Sequence, residues 1–236
     1  MLVAAAICPH PPLLLPEARG AAGAEPGGIG AVLAACDAAV AALAAAQADV
    51  IVLVGGAAAS AAYDGTAAGS LREYGVSYGA GNGEPVLPLS LTVGTWLLRR
   101  AARNPPVPVR LRAVARNTPV QACLRLGAGL ARQSPRVAIL AMGDGPARRA
   151  AGSPGAPDPA ADSYDGDLAA ALAGAEPARL AGLDPALDQE LLVAGRAAWQ
   201  VLGGAATGRR LRGQLRCAVA PYEVSYLVAS WEVTDL

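Results

Sequence analysis

Residues 2–8, LVAAAIC, are apolar without a break, the pattern of a strand covered on both faces. ADVIVLVGG (48–56) repeats that pattern with β-branched residues and closes on a glycine pair, and RVAILAM (136–142) is a third such run. Elsewhere the apolar spacing lengthens. Ile29, Val32, Leu33, Cys36, Val40 and Leu43 recur at helical intervals, which predicts a helix over residues 27–47. Ser90 reads as the cap of a helix formed by LTVGTWLLRRAAR, which the prolines after Asn104 stop. VRLRAVA (109–115) alternates as a strand should, and Thr118-Pro119 opens a helix through Arg132. Residues 151–160 read as a Pro/Gly linker or surface loop. Helices are expected beyond it at 162–174 and 184–203, then two closing strands in QLRCAVA and VSYLVASWEV, joined at Pro221-Tyr222-Glu223. Residues 57–88, rich in Gly and Ala with Tyr63, Tyr74 and Tyr78 scattered through them, show no such period. They are expected to form a long irregular segment, of the kind that is functional or mobile. Strands alternating with helices predict an α/β fold in one domain over residues 1–236, a central, mostly buried β-sheet flanked by helices on both faces.

Composition narrows the function classes. Formal net charge is zero, so no bulk field draws nucleic acid or an anionic membrane. All 19 basic residues are arginine, scattered along the chain, and aromatic residues are only 4%; neither feature makes a nucleic-acid-binding face. No stretch reaches the roughly 18–20 apolar residues that span a bilayer. The N-terminal run lacks a basic flank and meets proline by residue 9, so it is not expected to act as a signal peptide. The four cysteines, Cys8, Cys36, Cys123 and Cys217, are far apart with no CxxC pair, which fits a reducing cytoplasm. GGIG (27–30) and GAGNG (79–83) lack the strand–turn–helix context of a phosphate-binding loop.

In α/β sheets, ligands bind outside the carboxyl ends of the strands. That rule selects the loops at 8–17, 55–65, 143–149 and 221–223. They carry Cys8, His10 and Glu17; Ser60, Tyr63 and Asp64; Asp144, Arg148 and Arg149; and Tyr222 and Glu223. His10 is the single histidine of the chain, set between prolines at CPHPP. A histidine facing carboxylates in a cleft suits a divalent metal or acid–base chemistry. The structural alternatives stay open: a proline loop fixing the exit from a strand, a turn aspartate at Asp144, a solvated corner at Glu223.

AAICPHPPLLLPE, the ADVIVLV strand, the MGDG turn and the terminal YEVSYLVASW together resemble the class III extradiol ring-cleavage dioxygenases. The fold implied is the catalytic-subunit fold typified by protocatechuate 4,5-dioxygenase and shared by Memo-type proteins, and the likeness is greatest to short actinobacterial-type members. The family holds non-haem Fe(II) with two histidines and a glutamate and uses a further histidine as acid–base. The resemblance places His10 as the first ligand and Glu223 as the glutamate, both metal ligands. The second ligand histidine would fall near Ala58, and the acid–base histidine within Gly143–Arg149, where this chain has none. One histidine cannot supply a two-histidine site within a subunit.

The expectation is therefore a dioxygenase-like protein with an incomplete iron site, without ring-cleaving activity, retained for binding a small molecule or as a scaffold. The alternative is a rebuilt site in which His10, Asp144 and Glu223 hold Fe(II), Mn(II) or Zn(II), or work as a metal-free acid–base group. Cys8, Ser60, Asp64, Asp144, Arg149 and Tyr222 are the expected pocket residues, Cys8 as a soft ligand if it faces the site. Family catalytic chains often associate, so a second copy or a small partner subunit is also expected.

Overall fold

A computed structural model describes residues 1–19, 28–101, 107–149 and 156–234. The chain runs β1 (Leu2–Cys8), α1 (Pro16–Arg19), α2 (Ile29–Ala45), β2 (Val50–Ala57), β3 (Ala61–Asp64), β4 (Ala67–Ser70), β5 (Gly79–Ala80), β6 (Asn82–Pro85) and α3 (Leu89–Ala101). It continues through β7 (Val109–Ala115), α4 (Val120–Leu130), β8 (Val137–Met142), α5 (Ala160–Ala173), α6 (Pro177–Ala181), α7 (Pro185–Glu190) and α8 (Arg196–Ala206). The hairpin β9 (Leu211–Val219) and β10 (Tyr226–Val233) completes it.

The three uninterrupted apolar runs are the middle of a seven-stranded sheet of order β3-β7-β2-β8-β1-β10-β9. β7, β2, β8 and β1 are parallel, while β3, β10 and β9 pair antiparallel. Alternate residues of each run feed different cores. Val52, Val54, Ile139 and Ile7 point to one side with α4, α5, α6 and α8. Leu53, Leu140, Ala6 and Cys8 point to the other with α2 and α3. This two-sided covering is why the runs show no polar alternation. The structure is thus a mixed α/β fold with a central sheet between helical layers.

Several elements depart from expectation. Residues 57–88 are not irregular: β3 joins the main sheet and β4, β5 and β6 form a small three-stranded sheet. β3 alternates between half-buried and exposed positions and β6 is exposed throughout, while β4 buries Ala68 and Gly69 in succession, so small residues in short strands gave no apolar period. β2 does not end at its glycine pair but continues to Ala57. Ser90 lies inside the first turn of α3 and its hydroxyl donates to the Gly56 carbonyl at 2.8 Å, so it does not cap that helix. The expected helix over 184–203 is two helices, α7 and α8, with α6 ahead of them. It breaks because the Ala194 and Gly195 N–H groups donate to the Asp144 carbonyl at 3.0 Å, not to the preceding turn, and Leu192 adopts φ +58°. The stop at NPP and most of the 151–160 linker lie outside the described residues.

Candidate functional site

The parallel strands β1, β2, β7 and β8 end at Cys8, Ala57, Ala115 and Met142 on one edge of the sheet. β10 runs against β1, with Ile7 opposite Ala229, so the corner before β10 arrives at that same edge. After β1, the pyrrolidine rings at Pro9, Pro11 and Pro12 limit the backbone to extended and turn geometry. A short 3-10 turn at Pro12–Leu14 follows, and fully buried Leu14 and Leu15 anchor the loop. His10 is consequently held in place and only 5% exposed.

Its partner is Asp144. The Gly143 N–H donates to the Cys8 carbonyl at 2.9 Å, extending the β1–β8 ladder one step and setting Asp144 beside His10. The His10 N–H donates to Asp144 Oδ1 at 2.7 Å, and His10 Nδ1 lies 3.5 Å from the same oxygen. Nδ1 is buried with no hydrogen-bond partner. The glycines on either side of Asp144 permit this convergence. A Cβ on Gly143 would stand 2.3 Å from the Gly195 Cα, and one on Gly145 would stand 2.8 Å from the Ser225 Cβ. The loop is zipped to the β10 corner by Gly145 N–H to Ser225 O and Ser225 N–H to Pro146 O, at 2.8 and 2.9 Å. Tyr226 completes the cluster: burial, then the Asp144 carboxylate and Tyr222, push its phenol well above the ordinary tyrosine value.

The other expected residues separate from this pair. Cys8 is enclosed in the core beside Cys36, whose thiol is pushed up chiefly by burial, then by Cys8. It is a packing residue and not a soft ligand of the site. Ser60 accepts a hydrogen bond from the Ala115 N–H at 2.9 Å and ties the β2–β3 turn to the end of β7. Asp64 is a correction: β3 doubles back along β7, placing Asp64 opposite Arg110 near the start of β7 and away from the carboxyl edge. There it accepts from the Thr66 N–H at 2.9 Å and the Thr66 hydroxyl at 2.8 Å, which hold its carboxyl below the usual range. Arg149 is drawn to α5, donating to Asp165 and pairing with Asp162 at 2.8 Å. The Ser225 hydroxyl also donates to Asp165, so this group fastens the 143–149 loop and the β10 corner to α5. Tyr222 is 54% exposed, and Tyr222 and Glu223 both take positive φ, +59° and +61°, in the corner.

Among the described residues, no group of three or more His, Cys, Asp or Glu side chains is placed to hold a metal ion. Glu223 does not join His10 and Asp144 as a third ligand. With one histidine in the chain, the residues do not fit a two-histidine, one-carboxylate iron site. What the pair can do is acid–base work or ligand orientation: a carboxylate fixes an imidazole by accepting its backbone N–H and lying against one ring nitrogen.

A second polar group at the same edge has no counterpart in the sequence reading. Asp188 of α7 and Arg196 of α8 are buried together, 3.5 Å apart, with Gln200 and Tyr164 around them. Burial raises the Asp188 carboxyl to about 6, against the opposing pull of Tyr164 and Arg196. In sequence, Asp188 is one polar position among several in LDPALDQE, and nothing in its spacing marks it as buried.

No protein-family model matches the chain, and no curated protein does. Among solved structures, the chain is similar to the uncharacterized protein JW3007 from Escherichia coli K12 at 15% identity and a TM-score of 0.55. The likeness covers 98% of this chain and 99% of that one. At that identity it concerns the fold. No helix among the described residues is long and apolar enough to cross a membrane.

Proposed function

We propose that this chain is a class III extradiol dioxygenase-like protein that has lost the ring-cleaving iron site and keeps the carboxyl edge of its sheet for binding a small molecule. The observation that carries the reading is the pairing of the only histidine with Asp144, at the end of the first strand, where the resemblance puts the first metal ligand. A carboxylate beside that imidazole, with no further imidazole in the chain, suits ligand orientation better than Fe(II) chemistry. The second reading is a metal-free acid–base site, favoured by the 3.5 Å approach of His10 Nδ1 to Asp144. Four free thiols support a cytoplasmic location.

The test is an anaerobic calorimetric titration of the purified protein with Fe(II), Mn(II) and Zn(II), with His10→Ala alongside, followed by oxygen-uptake assays on catechols. The proposal expects no stoichiometric metal that depends on His10, and no oxygen uptake. One equivalent bound by the wild type and lost in the variant would overturn it in favour of a rebuilt metal enzyme around His10, Asp144 and Glu223.

A further inference from the structure

Edge strand β9 changes face part-way along its length. Leu211 and Leu215 pack into the core on the α5 side, whereas Cys217 and Val219 pack into the core on the α2 side. The switch is a β-bulge: Cys217 lies opposite Val228 and Leu215 opposite Ala229, which leaves Arg216 as the extra residue. Arg216 and Cys217 therefore face the α2 side in succession. On that side a cavity of about 580 Å³ lies between the last turn of α2 and the β9–β10 pair. Ala42, Leu43 and Ala45 line it from the helix, and Arg212, Arg216 and Ser230 from the strands.

The charges around this cavity do not cancel. Arg212 is matched by Glu232, whose carboxylate accepts from its Nη2. Arg216 is half-buried, and its one partner among the described residues is the Ser230 hydroxyl, which accepts from Nε at 2.7 Å. Neither of its Nη nitrogens has an acceptor or is shielded from solvent, so both stay open to the cavity. Among the described residues, no charged side chain beyond these three lines the space. The carbonyl end of α2 would oppose an anion. It is already served by the Arg136 guanidinium, which donates to Ala46 O at 3.0 Å and to Gln47 O at 2.7 Å. The unused capacity is thus donor capacity, carried by one cation beside an aliphatic helix surface, in a space of small-molecule size.

We propose that this cavity binds a small aliphatic monocarboxylate, its head group in the fork of Arg216 and its chain along the last turn of α2. A guanidinium offers parallel N–H donors that match one carboxylate. The Ser230 hydroxyl, which already accepts from Nε, is left free to donate a further bond. One uncompensated cation matches one negative charge. Inorganic phosphate would bring charge in excess and leave the aliphatic surface uncovered, and an organic cation would meet Arg216 directly. Ser230 lies opposite Ala6, well back along β1 from His10, and His10 does not line the cavity, so the site stands apart from the function proposed above.

Calorimetric titration with hexanoate, hexanamide and hexylamine tests this with one alkyl chain and three head groups. Hexanoate should bind one equivalent, hexanamide at least tenfold more weakly, and hexylamine not at all. Arg216→Gln should weaken hexanoate at least tenfold, as should Ala42→Trp, which fills the cavity from an exposed helix position. Should Arg216→Gln fail to fold, Ala42→Trp decides alone. No hexanoate binding, hexanamide or hexylamine binding as tightly as hexanoate, or binding indifferent to these cavity substitutions would each overturn the proposal. Hexanoate binding abolished by His10→Ala would overturn it too, by moving the carboxylate to the other edge of the sheet. A dimer in sedimentation equilibrium that Ala42→Trp dissociates, with no hexanoate bound, would assign the cavity to a second copy of the chain instead.

Discussion

Asp188 is the residue whose chemistry most directly enters the stability of the fold. Its carboxyl titrates near 6 in the native protein because burial penalises the charge, against about 4 in an unfolded chain. The native state therefore holds that proton more tightly. Its contribution to stability is greatest below the unfolded value and is lost as pH rises through about 6. The whole shift of about two pH units is worth about 3 kcal/mol, of which about 2 kcal/mol is lost between pH 4 and pH 7. Asp64 and Asp49 work in the opposite direction, held low mainly by backbone N–H bonds, but their window lies below that of Asp188. Urea unfolding of the wild type and of Asp188→Asn at pH 4.5, 5.5 and 7 should show a pH slope in the wild type that flattens in the variant. Parallel slopes would mean that Asp188 is not the titrating group.

At this scale the sequence exposed half of the site. His10 and Asp144 were legible because the only imidazole followed a buried strand and an aspartate sat between two glycines at another strand end. Asp64 misled, because nothing in its neighbourhood tells which way β3 runs. Asp188 was invisible, because a buried charge in a short helix has the same local pattern as a solvated one.

Among the elements, α4 and α8 approach most closely through their glycines. A Cβ on Gly127 would lie 1.9 Å from the Val201 carbonyl oxygen and 2.7 Å from the Ala205 nitrogen. Both are backbone atoms of a helix packed on the sheet, so the obstruction cannot be relieved by a side-chain rotation. Gly127→Ala would gain up to about 1 kcal/mol of helix propensity. It would lose more by forcing the helices apart, and overpacking of this kind costs about 1–3 kcal/mol or more. A thermal melt of Gly127→Ala should fall by several degrees. Gly129→Ala, on the same helix with nothing near its would-be Cβ, should hold or rise. Equal behaviour of the two would refute the close approach. The helices themselves were readable from apolar spacing; the α7–α8 break was not. It is imposed by a carbonyl two strands away, at Asp144, which takes the two N–H groups that would have continued the helix.

For the whole molecule, the arrangement of the sheet makes the last strand a condition for the first. β1 would be an edge of the parallel set were it not paired with β10, and β10 carries Trp231, buried and donating its Nε1–H to the Leu172 carbonyl at 2.8 Å. The β9–β10 corner also holds the 143–149 loop through Ser225, and so supports the seat of Asp144. A chain ending at Gly208 would expose the long apolar edge of β1 and empty the space that Trp231 fills, a combination that favours aggregation over folding. We expect it to be recovered mainly insoluble, and any soluble fraction to lack a cooperative melt by circular dichroism. A soluble, cooperatively melting 1–208 fragment would show that the central parallel strands form a core without their closing hairpin. His10 and Asp144 would then owe their alignment to the β1–β8 ladder alone.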